Sequence, residues 1–203
     1  MIRLYRAPFS TNVERVTLAL AHKGLDVESV EIDYADRSPV IEVSGQPLVP
    51  VIVDEGEVVA DSTAILRHLE RRRPDPPLFF SDPARRAELD VFLEWFNEVW
   101  KTAPNTIAAE LERPEPDRDR IAAEALRMRD WQRVFEGLLE SRDYLFGDFS
   151  AADCAAFPFL KFARLRDPED DEPFHLVLEE HLAPGDHPRL AAWIARVDER
   201  PRV

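Results

Sequence analysis

One cysteine, six glycines, a shortage of basic residues and no long apolar run are the main deficits of this 203-residue chain. Cys154 stands alone, so no intrachain disulfide can form and the fold must hold through its core. The glycines, at positions 24, 45, 56, 137, 147 and 185, never come close enough for a phosphate or dinucleotide loop. That argues against ATP and NAD as ligands. Forty acidic against 26 basic residues leave a formal charge of −14, the wrong sign for neutralising phosphates, which argues against nucleic acid. The longest apolar stretches, 47–53 and 154–160, fall far short of the roughly 20 residues that cross a bilayer, so no membrane integration is expected. The opening MIRLYRAPFS lacks the basic-then-apolar pattern of a secretory signal, and the cytoplasm is the expected compartment. No serine sits in a G-x-S-x-G elbow, and the five histidines show no H-E-x-x-H or Cys/His ligand spacing, so no metal is expected. The acidic run 167–172 lacks the glycine and alternating oxygen ligands of a calcium loop and reads as a solvated loop.

What is present suits a protein with a substantial core: 45% of residues are hydrophobic, and at this length roughly 70% of the unfolded surface can be buried. A β-type run at 2–5 leads into Ala7-Pro8-Phe9-Ser10, after which Val13, Val16 and Leu20 recur at helical spacing until Gly24. Val27, Val30 and Ile32 then predict a second strand, completing a β-α-β unit. After an irregular stretch, 49–53 and 57–60 flank the turn Asp54-Glu55-Gly56 as a β-hairpin. Asp61-Ser62 opens a helix with Ile65, Leu66 and Leu69 on its apolar face, and Arg71 to Arg73 place positive charge at its end before Pro74. Four prolines in 74–83 mark a boundary, beyond which strand signals almost vanish. Helices are predicted at roughly 83–111, 118–140, 150–165 and 188–198, broken by proline- and acid-rich segments at 114–117 and 167–173. The class is therefore α/β plus all-α: a βαβ-ββα domain over 1–76, a linker at 77–83, and a helical bundle domain over 84–203.

This order resembles the cytosolic glutathione transferases, and local motifs support the resemblance across nearly the whole chain. Pro8-Phe9-Ser10-Thr11-Asn12-Val13-Glu14-Arg15-Val16 is similar to the active-site segment of the serine-using phi-, tau- and zeta-like classes, with Ser10 five residues before Arg15. Ser44-Gly45-Gln46-Pro47-Leu48-Val49-Pro50 resembles the segment whose Val-Pro bond is cis. There the N–H and C=O of Val49 would pair with the extended tripeptide as an added strand does. Pro47 and Leu48 depart from the more usual glycine and polar residue. Asp61-Ser62-Thr63-Ala64-Ile65 is similar to the family's acid-Ser-x-Ala-Ile sequence. A helix start offers open N–H groups, so Ser62 can hold a carboxylate while Asp61 holds an ammonium, which fits a γ-glutamyl head. Asp36-Arg37-Ser38-Pro39 resembles a His-Lys-Ser-Pro segment, with Arg37 at the place that binds the other carboxylate and Asp36 as a mismatch. Phe149-Ser150-Ala151-Ala152-Asp153 reads as a capping box. It and the tail from His187 to Arg196, closing with Arg200-Pro201, are similar to the family's fold signals.

The resemblance implies a thioredoxin-like first domain, glutathione as co-substrate without a metal, a small hydrophobic electrophile as second substrate, and a homodimer. A free thiol has a pKa near 8.5, so about 3% is thiolate at pH 7, and lowering that pKa by about two units takes roughly 2.7 kcal/mol of preference for the anion. Ser10 is expected to supply it as a hydroxyl donor helped by the first helix N-terminus, with Thr11 and Asn12 as auxiliary candidates. Tyr5 is set aside, because the tyrosine-using classes place theirs one residue later, where Arg6 stands, and a one-residue shift turns a strand side chain to the other face. Trp95, Trp100 and Trp131 fit an ordinary core as well as an electrophile pocket. The expected activity is conjugation of the glutathione thiolate to apolar electrophiles, with hydroperoxide reduction as a second use. A cysteine-dependent reductase is a poor fit with serine at position 10. A non-catalytic binding or scaffold module stays open, and so does another low-molecular-weight thiol, since arginine outnumbers lysine 23 to 3 and hints at GC-rich coding.

Overall fold

The computed structural model describes residues 1–182 and 185–203. The chain divides into two compact units, Met1–Ser81 with Arg200–Val203, and Asp82–Glu199. The segment Arg200–Val203, expected within the helical domain, thus folds with the first unit.

In the first unit the expected βαβ-ββα order appears with one addition. β1 (Ile2–Arg6) is followed by α1 (Thr11–Lys23), which ends on Gly24 in the left-handed region (φ 59°), a conformation glycine adopts without a Cβ penalty. β2 (Val27–Glu31) pairs parallel with β1, and β3 (Val51–Asp54) and β4 (Glu57–Ala60) form the hairpin. The strand order is β2-β1-β3-β4, with β3 antiparallel to β1. α3 (Ser62–Arg72) closes the unit. The stretch read as irregular contains a seven-residue helix, α2 (Ser38–Ser44), of which only Val40 is buried. So short an element with one core residue shows no apolar periodicity. Val40 nonetheless joins Tyr5, Ile32 and Val51 in a core cluster on the sheet.

The helical unit contains α4 (Pro83–Trp95), α5 (Thr102–Leu111), α6 (Arg118–Leu138), α7 (Ala151–Leu160), α8 (Pro173–His181) and α9 (Pro188–Asp198). The single helix expected at 83–111 is interrupted by a π-helical turn at Phe96–Trp100. α8 was not foreseen: the acidic prolines before it hid a helix that starts on Pro173 at its first turn, where proline needs no N–H partner. Phe96 stacks on Trp100 at 4.6 Å, and both lie against Phe135 and Phe159, so Trp100 is core. Trp95 and Trp131 are half-buried and meet edge to face at 5.7 Å. The capping box is complete, Ser150 with Asp153, and Cys154 is fully buried beside it. Among the described residues no helix is long and apolar enough to cross a membrane.

Candidate active site

The ladder register gathers four segments at one end of the sheet. Tyr5 lies opposite Val51, Val51 opposite Ala60, and Arg6 beside Glu31. The chain therefore leaves β1 toward Ser10, leaves β2 toward Arg37, leaves β4 toward Asp61 and Ser62, and enters β3 from Val49, all at the same edge. Residues 10, 37, 49 and 62, scattered in sequence, lie in segments that strand pairing brings to one end of the sheet.

Ser10 is the N-cap of α1, half-buried, with extended backbone, and its Oγ accepts from the Val13 N–H at 3.3 Å. That bond uses a lone pair of the oxygen and leaves its proton to be donated elsewhere. Phe9, immediately before it, holds φ at 57°, and Asp61, immediately before Ser62, holds 74°. Two non-glycine residues in the left-handed region, each next to a candidate serine, are the kind of backbone strain that collects at functional sites. Thr11, at the first position of α1, is only 6% exposed. Asn12 is half-buried in the first turn.

The Val49-Pro50 bond is cis, as the motif implied. Val49 precedes the first ladder residue, Val51, so its N–H and C=O lie outside the sheet pairing. The loop before it is braced by Gln46, whose Oε1 accepts from the Leu48 N–H and whose Nε2 donates to the Leu48 carbonyl at 2.9 Å. Leu48 itself is 67% exposed. Gln46 thus occupies the backbone groups of Leu48 as a strand would, and leaves those of Val49 as the next pair in line.

Asp61 caps α3 by accepting from the Ala64 N–H at 2.9 Å and remains exposed, with its second oxygen toward solvent. Ser62 is 4% exposed, and its Oγ accepts from Arg15 Nη1 at 3.3 Å. The Ser62 proton is not used in that bond, and it stands beside an N–H from the turn whose donors lack intrahelical partners. Arg15 is 1% exposed. In the sequence it served as a motif marker; in the structure it joins α1 to the start of α3. A cation at an otherwise core-facing helical position was the available signal.

Arg37 stands at the N-cap of α2, but its side chain makes no capping bond. Its Nη1 donates to the Pro47 carbonyl at 2.9 Å, and its guanidinium lies over the Tyr34 ring at 4.8 Å. The Tyr34 hydroxyl in turn donates to the Pro8 carbonyl at 3.0 Å, tying the β2 exit to the loop that carries Ser10. Sequence reading gave Tyr34 no role. The mismatched Asp36 finds its use here: it accepts from the Ser38 hydroxyl at 2.7 Å and N–H at 3.0 Å, and these bonds hold its carboxyl below the usual range. Among the described residues no group of three or more His, Cys, Asp or Glu is arranged to hold a metal ion.

A family model for the glutathione S-transferase N-terminal domain matches residues 4–77, and one for the C-terminal domain matches 119–196. The chain is 32% identical over 170 residues to FtsZ-localized protein A of Caulobacter vibrioides, covering 75% of this chain and 73% of that protein. It is 42% identical over 93 residues to maleylacetoacetate isomerase of Pseudomonas aeruginosa, covering 42% of this chain and 44% of that one. Among solved structures, a glutathione S-transferase from Rhodospirillum rubrum superposes with a TM-score of 0.75 at 29% identity, covering 99% of this chain and 89% of its own.

Proposed function

The chain belongs to the glutathione S-transferase family, and from that premise we propose that it forms the glutathione thiolate beside Ser10 and adds it to a small apolar electrophile. The observation that carries this reading is the Ser10 hydroxyl: it caps α1 through its oxygen and keeps its proton for a sulfur. Its own donation and the positive end of α1 together favour the anion by the roughly 2.7 kcal/mol that moves a thiol pKa by about two units. Val49 presents the backbone pair for the cysteinyl residue, Pro50 fixes the bend, and Ser62 with Asp61 takes the γ-glutamyl carboxylate and ammonium. Arg37 offers its remaining donors to the glycyl carboxylate. Thiolate attack on a carbon electrophile gives the conjugate; attack on a hydroperoxide oxygen gives the alcohol and a sulfenic acid, which a second thiol reduces. Reversible addition to an electron-poor double bond would isomerise it, and the match to an isomerase favours including that reaction in the search. The expected assembly is a homodimer in the cytoplasm.

Calorimetric titration with glutathione, followed by conjugation, peroxidase and isomerase assays on wild type and Ser10→Ala, tests the proposal. Saturable binding, with a rate that falls about 100-fold in the variant, supports it. Absence of binding at millimolar glutathione overturns it, and full activity in Ser10→Ala with loss in Thr11→Ala reassigns the donor. A second reading, a transferase-like binding module, is favoured by the similarity to FtsZ-localized protein A. Glutathione binding without turnover on any substrate class would select that reading.

A further inference from the structure

The segment Arg200–Val203 belongs to the same compact unit as α1 and brings a cation to its first turn. Glu14 is the acid of that turn, four residues beyond Ser10, whose carbonyl accepts from the Glu14 N–H at 3.0 Å. Side chains at i and i+4 share a helix face and lean toward its N-terminus, so the Glu14 carboxylate is directed back toward the turn that Ser10 opens. Arg202 meets it there: Nε donates to Oε1 at 3.1 Å, and Nη2 lies 3.1 Å from the same oxygen. The pair is largely shielded, with Arg202 26% and Glu14 16% exposed.

Arg202 is itself held in place. Its Nη1 donates to the Arg200 carbonyl at 2.8 Å, Arg200 Nη2 donates to His22 Nδ1 at 2.9 Å, and Arg6 Nη1 donates to the Val203 carbonyl at 3.1 Å. Other charges on and beside α1 have partners of their own. Arg15 reaches Ser62, Lys23 bonds Glu70 and two loop carbonyls at the far end of the helix, and Arg6 pairs with Glu31.

We infer that Arg202 is a positioning residue of the thiol site: it cancels Glu14, so that a thiolate at Ser10 meets the positive end of α1 without an opposing carboxylate one turn away. This rests on the reading that Ser10 holds the thiolate. A lone charge on the order of 5–10 Å away moves a partly screened titration by about half a unit to one unit. Removing either partner exposes the charge of the other, so the two single substitutions act with opposite sign.

The test is a pH titration of thiolate absorbance with saturating glutathione in wild type, Arg202→Gln, Glu14→Gln and the double variant. Arg202→Gln is expected to raise the pKa of the bound thiol by about half a unit to one unit, Glu14→Gln to lower it by a similar amount, and the double variant to return close to wild type. Arg202→Lys restores most of the wild-type value. A purely structural tail would lower stability without moving the two single variants in opposite directions. The same series in a Ser10→Cys background, read as the pH dependence of alkylation mapped by mass to position 10, needs no glutathione. Opposed shifts there, with no glutathione binding in the parent, would overturn the glutathione reading and keep this inference. Glutathione binding with no shift, or with shifts of one sign, would overturn the inference and keep the reading.

Discussion

Two helices among the described residues have a serine as their N-cap, and the two hydroxyls are bonded differently. Ser150 at the head of α7 is 1% exposed; its oxygen accepts from Ala152 N–H, and its proton goes to Asp153 Oδ2 at 3.1 Å. Asp153 also accepts from the N–H groups of Ser150 and Leu145 and from the Trp193 indole. Every capability of that serine is consumed inside a helix whose ten residues are all buried. Ser10 at the head of α1 also accepts a helix N–H, but it sits half-buried at the sheet edge. The same residue at the same cap position gives its proton to a buried carboxylate in one helix and lies half-buried at the end of the sheet in the other.

The comparison breaks most visibly at Asp153. Burial pushes its carboxyl up, and four hydrogen bonds from Leu145, Trp193 and Ser150 work against that rise. Asp153→Ala leaves these donors buried without an acceptor and is expected to cost about 4 kcal/mol or to prevent folding, read as a loss of the denaturant midpoint. Next in size, Ser10→Ala is expected to reduce turnover about 100-fold while costing only about 1 kcal/mol of stability; Ser150→Ala is expected to do the reverse, lowering the midpoint and leaving kcat and glutathione affinity unchanged. Equal activity losses in both would abolish the distinction. Smaller again, Ser62→Ala is expected to raise KM for glutathione several-fold with kcat retained, because a carboxylate far from the sulfur is gripped equally in ground and transition states.

The smallest effect concerns Asp36. Its folded pKa lies below the ordinary value near 3.8, so the stability it contributes is present above that value and disappears as pH falls through the lower folded pKa. The difference in thermal midpoint between wild type and Asp36→Asn should therefore be constant near neutrality and close below about pH 4. A difference that persists to low pH would remove the assigned role of the Ser38 bonds.

Much of this architecture was legible before the structure. Gly24 after an apolar period, Asp61-Ser62 before another, and the Ser150/Asp153 spacing are instructions confined to a few residues, and each element formed where they stood. The elements that escaped, α2 and α8, are short, and they begin beside prolines in polar surroundings, so their packing and not their periodicity makes them helical. The candidate serines were found as motifs. The bonds that give them meaning, Arg15 to Ser62 and Tyr34 to Pro8, join residues 47 and 26 positions apart and had no local signature.

The sequence by itself determined the class of fold and the caps, because capping, turn chemistry and helical spacing act over one or two turns of chain. Tertiary structure alone decided which segments share one end of the sheet, which serine donates to a buried carboxylate, and that Arg202 returns across 188 positions to face Glu14. Strand register and burial set those outcomes, and both depend on groups that meet only after the chain has folded.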